Sequence, residues 1–215
     1  MELCTRRTTR ERWVRRVTRG ACGALLLFEL VGLFGALRYP IAFTWFGLFA
    51  TLVVVWSFLE LSAWYLDCVH QRPYPISIWP LVLLGVGIDA WGDIFRWYMR
   101  WPWYDQVAHF TGSALVMGIL GTLVHRAQWY ARLSWRVQWV SLVALGSVVG
   151  VLYEIEEYLE DWMFHTNRLG DGPDTANDLL MNLLGASVVA AVLVVRWRAH
   201  RHVADRLSRS SPVTA

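Results

Sequence analysis

Acidic side chains and one histidine recur at helical spacing in three apolar stretches of the second half of the chain. The stretches are "YDQVAHFTGSA" at residues 104–114, "YEIEEYLED" at 153–161 and "DTANDLLMNLLGA" at 174–186. Carboxylate oxygens together with an imidazole nitrogen suit Mg²⁺, Mn²⁺ or Zn²⁺, and either group can serve as a general base. If the three stretches meet, the pattern predicts a site for a divalent cation or for acid–base chemistry.

Helical phase selects among these acids, because side chains share a face only when they lie within the same sector at about 100° per residue. Glu156 and Glu160 point away from the other acids of their stretch and are left out. The glycines on the selected faces are expected to let neighbouring backbones approach closely. The residues that share a face are Asp105, His109 and Gly112 in the first stretch, Glu154, Glu157 and Asp161 with Gly150 in the second, and Asp174, Asp178 and Asn182 with Gly185 in the third.

These faces define the predicted site. His109 combines two possible roles, because an imidazole can ligate a metal or carry a proton. The candidate catalytic residues are Asp105, His109, Glu154, Glu157 and Asp178; the candidate metal ligands are His109, Glu157, Asp161, Asp174 and Asp178; the supporting residues are Asn182, Gly112 and Gly185.

Plainer roles stay open for several of these residues. Asp105 and Asp174 each stand at the start of an apolar stretch, where a carboxylate can cap a helix. A single histidine such as His109 often forms only a structural hydrogen bond. For Asp89 and Asp93, which are not assigned to the site, the expected role is an ion pair with Arg96 or Arg100.

Composition predicts the setting of the site. Of the 215 residues, 56% are apolar and 17% are charged, which is typical of an integral membrane protein. A bilayer core requires about 20 residues of helix. The fold class is therefore all-α, a polytopic membrane bundle of six transmembrane helices, at about 20–37, 41–66, 76–97, 105–125, 139–160 and 175–196.

The distribution of arginine predicts the orientation. All 20 basic residues are Arg, and 16 of them fall on one side of the predicted bundle against four on the other. The positive-inside rule then places both termini in the cytoplasm of a bacterium, with the protein in its inner membrane. The predicted division is a basic arm at 1–19, a transmembrane domain at 20–196 and a basic tail at 197–215. These arms are expected to contact anionic lipids, and no basic domain for nucleic acid is present.

The same orientation leads to an expectation about the cysteines. Cys4, Cys22 and Cys68 fall on or near the inner side of the predicted bundle. Because the cytoplasm is reducing, all three are expected to be free thiols.

Taken together and in order, the three stretches resemble the YjdF-like family of bacterial inner-membrane proteins. They resemble more distantly the VanZ-like proteins, which share an Asp-x-x-x-His-Phe element, a later Glu and a final Asp-x-x-x-Asn-x-x-Gly element. The resemblance covers roughly residues 85–190, and a VanZ-like basic residue in the last loop would correspond to Arg168. The family positions fall on Tyr104, Asp105, His109, Phe110, Gly112, Tyr153, Glu154, Glu157, Asp161, Asp174, Thr175, Asp178, Asn182 and Gly185. The resemblance supports the site but names no reaction.

Three functions fit these patterns. The first is an outward-facing enzyme that uses a divalent cation on a lipid-linked or envelope substrate. The second is a transport protein in which the carboxylates relay protons or cations. The third is a non-catalytic membrane protein whose polar cluster fixes helix packing.

Overall fold

A computed structural model describes the backbone of residues 7–210 and the side chains of residues 7–202. This part of the chain consists of helices and connecting turns, without a strand. The long helices are α1 (Thr9–Leu33), α2 (Trp45–Trp64, extended by a π-helical turn at Tyr65–Val69), α3 (Ile78–Ile94), α5 (Tyr104–Val124), α7 (Trp135–Phe164) and α8 (Gly172–Ser210); α4 (Trp97–Arg100) and α6 (Gln128–Ala131) are short.

Each of the six apolar stretches corresponds to one long helix, but only four segments in the described residues are long and apolar enough to cross a membrane. The first helix carries several arginines in its initial turns. The third has 17 residues, somewhat short of the roughly 20 that a bilayer core requires. The four segments are Trp45–Val69, Tyr104–Val124, Trp135–Phe164 and Gly172–His202. The all-helical membrane architecture is therefore confirmed, while six crossings stay a prediction.

Side-chain caps determine where several helices begin. Thr8 and Glu11 form a reciprocal capping box at the start of α1, and the hydroxyl of Thr44 accepts a hydrogen bond from the first turn of α2. At α8 the capping carboxylate is Asp171, whose Oδ1 accepts a bond from the Asp174 nitrogen at 3.0 Å. The capping role considered for Asp174 therefore belongs to Asp171.

The predicted boundaries of the basic arm and tail do not coincide with the ends of the long helices. Residues 9–19 are the first turns of α1, and residues 197–210 continue α8 without interruption. Residues 1–6 of the arm and 211–215 of the tail lie outside the described residues. Most of the basic arm and tail is thus helical and continuous with α1 and α8.

The bundle consists of two groups of helices. In one group α1, α2 and α3 pack on one another, and in the other α8 packs along α5 and α7; the α3–α5 contact joins the groups. Small residues allow the close approach of α8, because a Cβ at Gly185 would overlap the Phe110 carbonyl oxygen and one at Gly146 would lie 2.6 Å from the Ala186 Cβ. A Cβ at Gly112 would meet nothing within 4 Å. The expected close approach is therefore found at Gly185 and is wrong at Gly112, which borders open space.

The two ends of the bundle differ in chemistry. At the "arginine end", Arg15 Nη1 donates to Asp67 Oδ2 at 2.7 Å, and Arg201 Nη1 donates to the Ala131 carbonyl at 2.8 Å. At the opposite "site end", α5 and α8 begin and α7 ends, so the three acidic stretches lie together. The acidic stretches share this end because α7 runs antiparallel to α5 and α8.

The cysteines only partly match the expectation of free thiols. Cys22 is free and buried within α1. Cys68, in the π-helical turn after α2, is disulfide-bonded, so the expectation is wrong at this position. Cys4 lies outside the described residues. The position of a cysteine along the chain does not reveal which side chains the fold brings within bonding distance.

Candidate metal centre

His109 lies at the centre of an acidic cluster to which three helices contribute. The imidazole, on the second turn of α5, is only 6% exposed. Its Nε2 is 3.6 Å from Asp105 Oδ1 on the same helix and 3.9 Å from Asp178 Oδ1 on α8. Its Nδ1 is 3.5 Å from Glu154 Oε1 on α7. Four of the five candidate catalytic residues therefore meet around one ring.

Asn182 holds the α8 side of this cluster. Its Nδ2 lies 3.3 Å from His109 Nδ1, and its backbone carbonyl accepts a bond from Ser113 Oγ at 2.7 Å. A Cβ at Gly150 would lie 2.8 Å from the Asn182 Cβ, so the glycine provides the space that the amide occupies. The predicted supporting role of Asn182 thus has a geometric basis in the contact of α5, α7 and α8.

Several carboxylate oxygens in the cluster are buried without a hydrogen-bond donor. Glu154 is 5% exposed and Asp178 is 2% exposed. Among the described residues, none donates a hydrogen bond to either oxygen of Glu154 or to Oδ1 of Asp178. A buried carboxylate oxygen without a partner is costly. A bound cation, bound protons or a buried water molecule would each supply the missing partner.

Two overlapping sets of atoms in the described residues could hold one ion. One set comprises Asp105, His109 and Asp178, and the other comprises His109, Glu154 and Glu157; within each set the ligand atoms lie within 4.8 Å of one another. Ligands about 2.0 Å from a tetrahedral ion are about 3.3 Å apart. In the first set, Nε2 of His109 is 3.6 and 3.9 Å from the two carboxylate oxygens, and all the ligand atoms lie within 4.8 Å of one another, so the set must contract to hold an ion.

The structure places two of the predicted metal ligands apart from these sets. Asp161 accepts hydrogen bonds from Thr166 Oγ1 at 2.6 Å and from the backbone nitrogens of Arg168 and Leu169 at 2.7 and 3.0 Å. Its carboxylate therefore stabilises the turn that follows α7. Asp174 lies in the first turn of α8 and belongs to neither set.

Arg168 neutralises acids beside the cluster, a role that the sequence analysis did not assign. Its guanidinium is 6% exposed, donates from Nη2 to Glu157 and from Nη1 to Glu160 at 3.0 Å, and lies over the Phe43 ring. Burial alone lowers the pKa of Arg168, but interactions with Tyr153 and the buried glutamates outweigh this effect, so the pKa is raised. The sequence offers one indication of this role, because Arg168 is the only arginine between α7 and α8.

Asp89 connects the cluster to the other group of helices. Its two oxygens accept hydrogen bonds from Tyr98 at 3.0 Å and from Tyr153 at 3.2 Å. Burial raises the pKa of Tyr98 well above its usual value, so its hydroxyl stays protonated and can donate. Two tyrosines thus stabilise Asp89 where an arginine was expected.

Asp93 also differs from the expectation. Its carboxylate accepts hydrogen bonds from the backbone nitrogens of Ala42 and Phe43, at distances from 2.6 to 3.4 Å. The chain turns sharply after α3, where Arg96 adopts a left-handed conformation with φ of 59°. The predicted ion pairs of Asp89 and Asp93 with Arg96 or Arg100 are therefore wrong, because tyrosine hydroxyls and backbone nitrogens occupy both carboxylates.

The comparisons with known proteins identify a family but no activity. The family described as "Predicted membrane protein (DUF2238)" matches residues 21–200. No curated protein and no solved structure matches the chain. YjdF is a known member of the matched family, whereas nothing in these comparisons extends to the VanZ-like proteins. The chain therefore belongs to this family of predicted membrane proteins.

Proposed function

We propose that this membrane protein is an enzyme that binds one divalent cation between α5, α7 and α8 and acts on a lipid-linked or envelope substrate. One observation carries the proposal: buried oxygens of Glu154 and Asp178 face His109 and accept no hydrogen bond within the described chain. A cation would compensate their charge. If the cluster served only to pack the helices together, apolar residues would stabilise the protein better, because buried charges rarely add net stability.

The ligand set that we favour is Asp105, His109 Nε2 and Asp178. Asp105 is about one-third exposed at its side chain, which leaves a route for the ion and for water. In the competing set, Glu157 already accepts a hydrogen bond from Arg168. Glu154 would then lie on the Nδ1 side of the ligating imidazole, where carboxylates commonly support metal-bound histidines.

The bound cation would polarise a phosphoryl or carbonyl oxygen, or activate a water molecule, at the exposed side of the set. Glu154 and Glu157 are the nearby carboxylates that could accept a proton in such a reaction. Asp174, which the sequence pattern also suggested as a ligand, lies one helical turn before Asp178 and would add to the local negative potential. That potential attracts cations before they reach the buried ligands.

The proposed orientation places this centre on the outer side of a bacterial inner membrane. The arginine end would face the cytoplasm, with six crossings and both termini inside. The candidate ligands lie within the first two turns of α5 and α8, so a metal there would be near the outer leaflet. Membrane lipids are accordingly the proposed partners and the source of a lipid-linked substrate.

Metal analysis of the purified full-length protein tests the proposal. Wild-type protein dialysed against trace Zn²⁺, Mn²⁺ or Mg²⁺ should retain about one ion per chain. His109→Ala and Asp178→Asn should lose it. Asp171→Asn is the matched control, because it alters a carboxylate at the start of α8 that lies outside both ligand sets, and it should bind like wild type.

Thermal unfolding of the same proteins separates the alternatives. If the cation is bound, adding it should raise the Tm of wild type and Asp171→Asn but not of Asp178→Asn. A wild-type protein without stoichiometric metal, together with an Asp178→Asn variant of unchanged Tm, would contradict the metal centre. Ion flux into liposomes that Asp178→Asn abolishes would instead support a transport function.

A further inference from the structure

An apolar cavity lies directly beside the proposed metal centre. Its volume is about 180 Å³, and it lies between α2 and α3 on one side and α5 and α7 on the other. Most of its wall is aliphatic, including Val55, Leu81, Val82, Val116 and Ile119. A buried apolar cavity of about 150 Å³ stays dry and admits small hydrocarbons. The cavity is therefore suited to a hydrocarbon group.

Glycines produce part of this cavity. Gly85 on α3 and Gly112 on α5 both line it, and a Cβ at either position would meet nothing within 4 Å. Both glycines therefore border empty space, in contrast to Gly185, which packs against a backbone.

The cavity changes from apolar to polar along its length. Leu81, Val82 and Ile119 lie toward the arginine end of their helices, whereas Asp89, Tyr98 and Tyr153 line the part near the site end. His109 lines this polar part too, and its Nε2 also faces Asp105 and Asp178. One residue is thus shared between the cavity and the proposed ligand set.

The cavity reaches the lateral surface of the bundle. Leu81, Gly85 and Val116 line it and are only half-buried, so its wall is not sealed. Two of the helices that form it, α2 and α5, belong to segments apolar enough to cross a membrane. An opening beside the half-buried residues of α3 and α5 would therefore face the region where lipid chains are found.

We infer that this cavity holds the part of the substrate's hydrocarbon chain that lies next to its head, and that the substrate is a lipid with a phosphate head and a chain that enters from the side of the bundle. The inference rests on the proposed function for the role of the metal. With its chain in the cavity, the lipid has its head beside His109 and the cation, which binds phosphate oxygens. The hydroxyls of Tyr98 and Tyr153 lie along the junction between chain and head.

Photolabelling with a hexadecyl phosphate that carries a diazirine in its chain tests this inference. The probe is added to full-length wild-type protein in nanodiscs, and labelled residues are identified by mass spectrometry. Labels are expected on the cavity-lining parts of α3 and α5. Gly85→Leu and Gly112→Leu, which fill the cavity, should each reduce labelling by about tenfold, because displacing a few buried methylene groups costs that much binding.

A matched variant and a metal assay complete the experiment. Gly20→Leu places the same side chain into open space on α1, outside the cavity, and should leave labelling unchanged. Metal-loaded protein that is labelled only on lipid-facing side chains such as Val148 and Val188 would overturn the inference. If the proposed function is wrong but this inference is right, the wild-type protein will lack metal and will still be labelled in the cavity.

Discussion

Glu154 Oε1 lies 3.5 Å from His109 Nδ1, and no described residue donates a hydrogen bond to the Glu154 carboxylate. This relationship joins α7 to α5 at the centre of the proposed site. On the other side of the ring, Nε2 faces Asp105 and Asp178.

Glu154→Gln should weaken metal binding without abolishing it. The amide preserves the shape of the side chain but removes the charge that faces the ligating ring. Loss of such a supporting carboxylate typically costs about 10–100-fold in metal affinity. Calorimetric titration with Zn²⁺ measures the change, and Asp178→Asn, which removes a direct ligand, should lose far more. Equal losses in the two variants would place Glu154 among the ligands.

Arg168→Gln should strongly destabilise the protein. The substitution leaves Glu157 and Glu160 buried without their cation, which typically costs about 3–5 kcal/mol. Thermal unfolding in detergent should therefore show a large drop in Tm. Arg38→Gln is the control, because Arg38 is exposed. Adding Glu160→Gln to Arg168→Gln should recover part of the loss, and no recovery would argue against a charge-based role.

The two glycines on the α5 and α8 faces should respond oppositely to alanine. Gly185→Ala forces a methyl group into the Phe110 carbonyl and should cost about 1–3 kcal/mol, as overpacking commonly does. Gly112→Ala adds the same group to open space and should leave the Tm unchanged or raise it. Comparable destabilisation by both substitutions would contradict the described packing of α5.

Reporter fusions should place the C-terminus in the cytoplasm. Green fluorescent protein fused after Ala215 should fluoresce, because it folds on the cytoplasmic side, and alkaline phosphatase fused at the same point should be inactive. The physical reason is the excess of arginine at that end of the bundle. Active phosphatase with a dark fluorescent fusion would reverse the orientation and place the metal centre inside.

The clustering of the acidic residues was more predictable than the packing that surrounds it. Helical phase was sufficient to select Asp105, His109, Glu154 and Asp178, because residues on one face of a helix must point in one direction. Helical phase also led to the omission of Glu160. Its ion pair with Arg168 was not predictable, because Arg168 lies in a turn that has no periodic pattern. Asp161 shares the correct face, yet backbone nitrogens of that same turn occupy its oxygens.

Other differences arise from contacts between helices distant in sequence. The tyrosines that bind Asp89 come from α4 and α7, and neither spacing nor charge identifies them as partners. The cavity at Gly112 was not predictable for the same reason. The helix opposite a glycine determines whether the glycine borders a backbone or a void. Sequence periodicity describes single helices, and these features depend on how pairs of helices pack.

X-ray absorption spectroscopy of the Zn²⁺-loaded protein is the most direct measurement of the central claim. The expected spectrum shows one imidazole nitrogen and at least two carboxylate oxygens at about 2.0–2.2 Å from the ion. The imidazole contribution should disappear in His109→Ala, while Asp171→Asn should give the wild-type spectrum. A wild-type spectrum without an imidazole ligand, or one that His109→Ala leaves unchanged, would contradict a metal centre at His109.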